Sequence, residues 1–275
     1  AGDDKIDLND GTNSVVAGSG IDTITVASGT NTIDAGDDAD LITLNGGNNT
    51  AYGGSGSDNI TANNGVNVID AGTENDTITA NSGTNTITAG EGDDTITLNN
   101  GTNTVNAGVG ADTITAANGT NTIQAGDGTD VITLSGGNNT VYSASGADSI
   151  TANNGTNVID AGTENDTITA NSGSNTITAG EGDNTINLNN GTNSLVAGTG
   201  ADTITAASGT NTVQAGDGAD VITLNGGNNT VYGASGTDSI SANNGTNVID
   251  AGAENDTITA NSGTNTINAG EGDDK

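Results

Sequence analysis

Apolar residues recur along this chain at two fixed phases of an 18-residue period, separated by polar residues and glycine. One phase carries isoleucine in every repeat, as at Ile6, Ile24 and Ile42. The other phase carries valine, isoleucine or leucine, and Ala51 is its one small residue. Around the first phase, Thr-Ile-Thr triplets alternate polar, apolar and polar, which predicts a short strand whose central residue faces inward. The pattern predicts two strands in each repeat.

The same period governs a polar position, because asparagine returns every 18 residues without a miss. A fixed period of this length indicates a solenoid in which each repeat forms one coil. The repeat reads NTIxAGxGxDTITxxxGT and divides into two related nonapeptides, each expected to form about six turn residues and three strand residues. We therefore predict an all-β fold, a right-handed parallel β-roll or β-solenoid of about 15 coils. The asparagines are Asn13, Asn31, Asn49, Asn67, Asn85, Asn103, Asn121, Asn139, Asn157, Asn175, Asn193, Asn211, Asn229, Asn247 and Asn265.

A slower repeat of 90 residues lies above the coil period. Residues 31–120, 121–210 and 211–275 are near copies of a five-coil block, and Tyr52 marks the same coil as Tyr142 and Tyr232. No composition shift interrupts the pattern, so we expect a single continuous domain over residues 1–275. We expect this domain to be a segment of a longer array, or a subunit that stacks end to end on copies of itself.

Composition limits the possible functions. The formal net charge is −33, with two Lys or Arg residues, no His and no Cys. Such acidity argues against nucleic acid as a partner, and no apolar run predicts insertion into a membrane. Catalytic triads and phosphate clamps lack their residues, and the same aspartate in every coil indicates a lattice, whereas an active site would be unique. We expect no enzyme.

The candidate chemistry lies in the AGxGxD turn. Carboxylates stacked one strand spacing apart repel by about 0.9 kcal/mol in bulk water, and by about 3.5 kcal/mol at an effective dielectric near 20. Two lysines cannot neutralise this row, so loosely held counterions or a bound metal ion must do so; the metal ion is the leading candidate, and hard oxygen ligands favour Ca²⁺. Asn184 is the neutral substitute within the row. The aspartates are Asp22, Asp40, Asp58, Asp76, Asp94, Asp112, Asp130, Asp148, Asp166, Asp202, Asp220, Asp238 and Asp256.

These turns resemble the nonapeptide GGxGxDxUx of the repeats-in-toxin (RTX) family, whose repeats form a calcium-binding parallel β-roll. AGSGIDTIT (17–25), AGEGDDTIT (89–97), AGVGADTIT (107–115) and AGDGTDVIT (125–133) carry the resemblance, with Ala for the first Gly. The resemblance implies several Ca²⁺ ions held between coils by the aspartates and turn carbonyls, and secretion by a bacterium. The glycines it implicates are Gly18, Gly20, Gly90, Gly92, Gly108, Gly110, Gly126, Gly128, Gly198, Gly200, Gly216 and Gly218.

The chain departs from the RTX pattern in two places. The opposite edge reads NNGTN or NSGTN, with asparagine in the aspartate position, so we expect a structural ladder of stacked amides there. Asp38, Glu74, Glu164 and Glu254 replace a turn glycine. Each of these acids either adds a carboxylate ligand or disturbs the turn carbonyls, and the sequence leaves both possibilities open.

The leading functional interpretation is a calcium-stabilised extracellular structural element: a rigid fibre, a filament subunit, an adhesin stalk or a surface-layer component. The alternative is an ice-binding solenoid that uses outward Thr-x-Thr pairs, although Leu41, Asn59, Val131, Ser149 and Val221 interrupt the rows. A specific ligand-binding module is a third class, and it would need unique surface residues. The pairs are Thr23/Thr25, Thr77/Thr79, Thr95/Thr97, Thr113/Thr115, Thr167/Thr169, Thr203/Thr205 and Thr257/Thr259.

Overall fold

The computed structural model describes residues 2–275, which form β-strands, turns and bends and contain no helix. The chain divides into two compact units, one ending at Thr140 and the other running from Val141 to Lys275. In each unit the chain alternates between a short strand and a long strand, so that every 18-residue repeat contributes one of each. The all-β parallel solenoid with two strands per coil is confirmed. The single continuous domain over residues 1–275 stays a prediction.

The short strands have four residues each and form one parallel sheet within each unit. They are β1 (Lys5–Leu8), β3 (Thr23–Val26), β5 (Leu41–Leu44), β7 (Asn59–Ala62), β9 (Thr77–Ala80), β11 (Thr95–Leu98), β13 (Thr113–Ala116) and β15 (Val131–Leu134) in the first unit, and β17 (Ser149–Ala152), β19 (Thr167–Ala170), β21 (Thr185–Leu188), β23 (Thr203–Ala206), β25 (Val221–Leu224), β27 (Ser239–Ala242) and β29 (Thr257–Ala260) in the second.

The long strands have up to eight residues and form the other parallel sheet of each unit. They are β2 (Thr12–Ser19), β4 (Thr30–Asp37), β6 (Asn48–Ser55), β8 (Val66–Thr73), β10 (Thr84–Glu91), β12 (Thr102–Val109) and β14 (Thr120–Asp127); β16 (Asn138–Ser145), which contains the boundary between the units; and β18 (Thr156–Asp160), β20 (Ser174–Glu181), β22 (Thr192–Thr199), β24 (Thr210–Asp217), β26 (Asn228–Ser235), β28 (Thr246–Asp250) and β30 (Thr264–Asn268).

Every residue stacks on its counterpart 18 positions away, for example Ile96 on Ile114. The expected division of each half-coil into six turn residues and three strand residues is wrong, because the long strand continues through the Ala-Gly pair. The offset of 18 residues is kept across this pair, because Thr88 pairs with Asn106 and Gly90 pairs with Gly108. Gly90 has a φ of 122°, which a glycine adopts without strain and which turns the chain towards the AGxGxD loop.

The core of each coil is thin and almost wholly aliphatic. The isoleucine of the short strand is fully buried, as at Ile96, and so is the residue two positions later, Leu98. From the long strand, Ile87 and Ala89 face them with at most 1% exposure. The strict alternation of buried and exposed residues follows from the pleat of the strands. Because each coil contributes only a few aliphatic side chains to the core, the hydrogen-bonded polar edges contribute much of the remaining stability.

One edge of the core is closed by the asparagine ladder, whose side chains from Asn31 to Asn247 have at most 3% exposure. Asn85 donates its Nδ2 to Asn103 Oδ1 at 2.8 Å and to the Ser82 carbonyl at 3.2 Å. A second, outer ladder donates in the opposite direction along the chain, as from Asn63 Nδ2 to Asn45 Oδ1 at 2.8 Å. The Nδ2 and the Oδ1 of each buried asparagine are thereby hydrogen-bonded, which removes the desolvation penalty of burying the amide.

Candidate metal sites

The AGxGxD turn is shaped by two close backbone approaches between coils. Gly92 has a φ of 128°, and a Cβ there would lie 2.3 Å from the Glu74 carbonyl oxygen, so only glycine fits. Its N–H donates to the Val109 carbonyl of the next coil at 2.9 Å. The glycines implicated by the sequence thus occupy two places, the end of the long strand and the turn itself. Both places bring backbone groups of neighbouring coils together.

The aspartate that ends this turn is buried, although the sequence analysis assigned it simply to the turn. Asp94 is 1% exposed, and the other aspartates of the row have at most 2% exposure. The Asp76 N–H donates to Asp94 Oδ1 at 2.7 Å, and the Asp94 N–H donates to Asp112 Oδ1 at 2.8 Å. Each carboxylate therefore accepts a hydrogen bond from the backbone of the preceding coil. We name this row the aspartate ladder.

The aspartate ladder is longer than the sequence analysis proposed. The Asp4 N–H donates to Asp22 Oδ1 at 2.6 Å, and the Asp256 N–H donates to Asp274 Oδ1 at 2.9 Å. Asp4 and Asp274 share the 18-residue spacing of the other members, and this spacing was the signal that could have identified them.

The second carboxylate oxygen, Oδ2, is buried and accepts no hydrogen bond. An orphaned buried acceptor costs about 1–3 kcal/mol, and more when it is charged. Since this cost recurs in coil after coil, the ladder requires a counter-charge or a proton at each Oδ2. The aspartates with such an atom are Asp22, Asp40, Asp58, Asp76, Asp94, Asp112, Asp166, Asp202, Asp220, Asp238 and Asp256.

Asn184 reveals what the Oδ2 atoms face. Like the aspartates, it accepts a backbone N–H on Oδ1, here from Asp166 at 2.8 Å. Its Nδ2, which stands in the place of Oδ2, donates to the Gly182 carbonyl at 3.0 Å. We infer from this substitution that in an aspartate coil Oδ2 takes the place of Nδ2 and faces the turn carbonyl with no hydrogen between the two oxygens. Two oxygens that face each other in this way form a site for a cation.

Burial raises the pKa of several ladder carboxyls above the ordinary value of 3.8, among them Asp40 and Asp220. It brings the pKa of Asp94 to about 6 and those of Asp76 and Asp166 to about 7. The backbone hydrogen bond from the preceding coil lowers each of these pKa values in part, and neighbouring carboxylates raise them again; for Asp76 the neighbours include Glu74. Near neutral pH the ladder is therefore partly ionised and strongly favours cations.

The donor chemistry fits Ca²⁺. Carboxylate and carbonyl oxygens are its usual ligands, and the chain supplies both at every turn. Within residues 2–275 no group of three or more acidic side chains converges in a way that could hold a metal. Each coil offers one ladder carboxylate, so backbone carbonyls would have to complete the coordination. Asp130 and Asp148 occupy the same phase and are equally buried.

The acids that replace a turn glycine bind the backbone. Glu74 has a φ of 72°, and its Oε2 accepts the Gly56 N–H at 2.8 Å and the Thr73 hydroxyl at 2.8 Å. Elsewhere that glycine N–H donates to a carbonyl, as Gly92 does to Val109. Glu164 and Glu254 repeat the contact with Gly146 and Gly236 at 2.7 Å. These side chains add negative charge beside the ladder and change the backbone bonding of the turn.

Comparison with known proteins identifies the repeat. No curated protein matches the chain. Among solved structures, the chain is similar to a hyperactive, Ca²⁺-dependent, β-helical antifreeze protein from an Antarctic bacterium, with 20% sequence identity and a TM-score of 0.63. The match covers 98% of this chain and 82% of that chain, and at this identity it supports the fold alone. No helix in residues 2–275 is long and apolar enough to cross a membrane.

The family described as RTX calcium-binding nonapeptide repeat matches along the whole chain. The matched residues are 1–24, 16–50, 25–60, 43–78, 61–96, 79–114, 115–150, 151–186, 169–204, 187–213, 205–240 and 241–275. The chain therefore belongs to the RTX calcium-binding nonapeptide repeat family, and it is a β-solenoid whose repeats bind several Ca²⁺ ions.

Proposed function

We propose that this protein is an extracellular structural element, a spacer or stalk segment whose coils are ordered by Ca²⁺ along the aspartate ladder. The observation that carries the proposal is the run of buried Oδ2 atoms without hydrogen bonds, which recurs in the coils of Asp22 to Asp112, of Asp166 and of Asp202 to Asp256. When Ca²⁺ is bound, it supplies positive charge to these oxygens. The residues of the chain provide the rest: aspartate Oδ1 fixes the spacing of the coils, and the turn glycines allow the carbonyls to approach.

The repetition of the chain supports a mechanical role. Ladder, core and turns recur with little change in every coil, and the 90-residue blocks are near copies. A protein built to hold a specific ligand or to catalyse a reaction needs unique residues, whereas a spacer gains from every identical coil it adds. We propose that the segment acts by its length and stiffness, with flanking repeats or copies of itself as partners.

An extracellular location follows from the calcium requirement within this proposal. RTX repeat proteins are typically secreted, and Ca²⁺ is far more abundant outside the cell than in the cytosol. With the cation scarce, the partly ionised ladder opposes folding because like charges are buried one strand spacing apart. The segment would then order after export, since metal binding and folding are coupled in such sites.

The test is a calcium titration followed by far-UV circular dichroism, with Mg²⁺ as the control ion and a chelator to reverse the change. We expect a cooperative gain of β-structure with Ca²⁺, much weaker with Mg²⁺ because Mg²⁺ dehydrates reluctantly and demands an octahedral site. An unchanged β-signal after chelation would mean that the aliphatic core and the asparagine ladder suffice, and it would refute calcium-dependent ordering.

Ice binding is the second candidate, and the outer face of the short-strand sheet favours it. In the first unit, the second outward position of each short strand is threonine in seven successive strands, from Thr25 in β3 to Thr133 in β15, in parallel register. The first outward position is interrupted by Leu41, Asn59 and Val131. Regularly spaced hydroxyls and methyls are the feature shared with threonine-based ice-binding solenoids.

Thermal hysteresis measured in calcium separates the two candidates. Activity that falls when Thr79 and Thr97 are both replaced by Lys would establish the threonine face as an ice-binding surface. No hysteresis from the folded, calcium-loaded protein leaves the spacer proposal as the function that the site supports.

A further inference from the structure

The three tyrosines are the aromatic residues of this chain, and all lie exposed on the long-strand sheet. Phe, Trp and His are absent from the sequence. Tyr52, Tyr142 and Tyr232 each have 44% of their surface exposed. They recur every 90 residues, always at the fifth residue of a long strand. A solvent-exposed aromatic ring is uncommon on this otherwise small-residue surface, so its surroundings matter.

Two carboxylates flank the first ring. In the parallel register, Tyr52 lies between Asp34 on one neighbouring strand and Asp70 on the other. Paired residues of adjacent strands on one face are about 4.8 Å apart, so both acids lie beside the ring. Val68, which pairs with Thr50, stands diagonally next to Tyr52 and is 47% exposed. Asp34, Tyr52, Val68 and Asp70 form what we name the tyrosine patch.

The tyrosine patch has no cationic partner of its own. In the part of the chain that the structure describes, the one ion pair joins Lys5 to Asp7 at 3.0 Å. The chain has two basic residues in total against 35 acidic ones. An aromatic face between two carboxylates attracts a cation both by charge and through the ring quadrupole.

We propose that the tyrosine patch is a docking site for an arginine or lysine side chain of a basic protein partner. The charged head lies over the ring of Tyr52 between Asp34 and Asp70, and the methylene stem packs on Val68. Long basic side chains divide in this way between an apolar surface and a charged one. The site is separate from the aspartate ladder, so this inference goes beyond the structural function proposed above.

A sugar ring also stacks on tyrosine and bonds to carboxylates, but the charge of the surface favours the cation. A neutral saccharide gains nothing from the charge of the two flanking carboxylates, whereas a basic partner gains from this local pair of acids. Saccharide binding is therefore an outcome that the experiment must distinguish.

The second unit contains a natural comparison. Tyr232 lies between Gln214 and Asp250 in the register, with Val248 in the place of Val68. Asp250 also accepts a hydrogen bond from Asn268 at 3.0 Å. This version has one flanking carboxylate where Tyr52 has two. The same protein should therefore bind a cation at two related patches of different strength.

The test uses the calcium-saturated full chain and follows the tyrosine ring protons by NMR while N-acetyl-arginine amide, and then a short arginine-rich peptide, is added. Three tyrosines and no other aromatic residue make the spectrum simple. We expect the Tyr52 signals to titrate with an affinity roughly two- to fivefold higher than those of Tyr232. Asp70→Asn should reduce the affinity at Tyr52 to about the level of Tyr232.

The matched control is Glu91→Gln, which removes the same charge from the exposed last residue of β10 in the same unit. It should leave the Tyr52 titration unchanged, and Tyr52→Phe should keep most of the binding because the ring face persists. The proposal is overturned if Glu91→Gln weakens binding as much as Asp70→Asn does, since only net charge would then matter. It is also overturned if the signals respond to a neutral oligosaccharide and not to arginine, or to neither probe.

Discussion

Replacing one ladder aspartate by asparagine should have opposite effects with and without calcium. In Asp94→Asn the Oδ1 atom still accepts the Asp76 N–H, which the carboxylate does at 2.7 Å. The new Nδ2 should donate to the Gly92 carbonyl, as Asn184 does to Gly182 at 3.0 Å. The substitution thus removes a buried orphan acceptor, a gain of about 1–3 kcal/mol, and adds a hydrogen bond of about 1 kcal/mol.

In chelator, we therefore expect folding of the variant to be more favourable by about 2–4 kcal/mol, so that it keeps β-structure, followed by far-UV circular dichroism, under conditions in which the parent chain loses it. In calcium the same variant should lose bound Ca²⁺, counted by isothermal titration calorimetry, and gain less from the ion than the parent chain. Asp94→Ala is the contrasting variant. It removes Oδ1 as well and leaves the Asp76 N–H without its acceptor, so it should destabilise the protein under both conditions.

The reverse exchange at the natural neutral position completes the test. Asn184→Asp should add calcium-binding capacity and destabilise the metal-free protein by a similar amount. If Asp94→Asn destabilises the chelated protein as much as Asp94→Ala does, then the Oδ2 of Asp94 is not an unbonded acceptor opposite the turn carbonyl. The cation-site argument would then be wrong.

Three further predictions concern protons, turn geometry and the opposite edge. In chelator, stability should fall as pH rises from about 4 to about 7, because folding raises the pKa of ladder aspartates such as Asp94 and Asp76 from 3.8 to about 6 and about 7, and the folded state binds the extra protons. Thermal melts should therefore show a less stable protein at pH 8 than at pH 5. Saturating calcium should remove the difference. Gly110→Ala should destabilise the protein by more than about 2 kcal/mol, because a Cβ there would lie 2.0 Å from the Gly92 carbonyl oxygen at a φ of 142°; Ala111→Ser in the same turn is the control, and equal denaturation midpoints would contradict the argument. Asn103→Ala should cost about 2–3 kcal/mol, because Asn85 Nδ2 loses its acceptor in the inner ladder. Asn81→Ala in the more exposed outer ladder should cost under about 1 kcal/mol. The reverse order of stabilities in urea denaturation would contradict the larger contribution of the inner ladder.

The parts of the fold that repeat were predictable from the sequence. The isoleucine phase, the parallel stacking and the aspartate period follow from alternation and spacing, and the structure buries Ile24 and Asp22 as counterparts of Ile42 and Asp40. The unequal strands were not predictable, because the continuation of the long strand through Ala-Gly depends on backbone dihedrals that only the folded coil fixes.

The candidate site was predictable in its residues but not in its geometry. The period located the aspartates, yet the sequence analysis did not extend it to Asp4 and Asp274. The burial of the aspartates from Asp22 to Asp256, and the bond from Asn184 to Gly182, depend on where the turn places each side-chain oxygen. Neutral Asn184 appeared in the sequence as an exception to the row. In the structure its Nδ2 makes a hydrogen bond to the turn carbonyl, and the Oδ2 of the aspartates in the same place cannot make one.

The two asparagine ladders have an electrical consequence. The inner amides donate towards the C-terminus, as from Asn31 to Asn49, and the outer amides donate towards the N-terminus, as from Asn81 to Asn63. Their dipoles oppose each other, in contrast to an α-helix, whose aligned peptide dipoles leave partial charges at its ends. The outer ladder is interrupted at Ala27, Ala117, Ser135 and Ala207, so this opposition is limited to coils that carry both asparagines. Each added coil of that kind contributes less to the field at the ends of the asparagine edge than a coil with the inner asparagine alone.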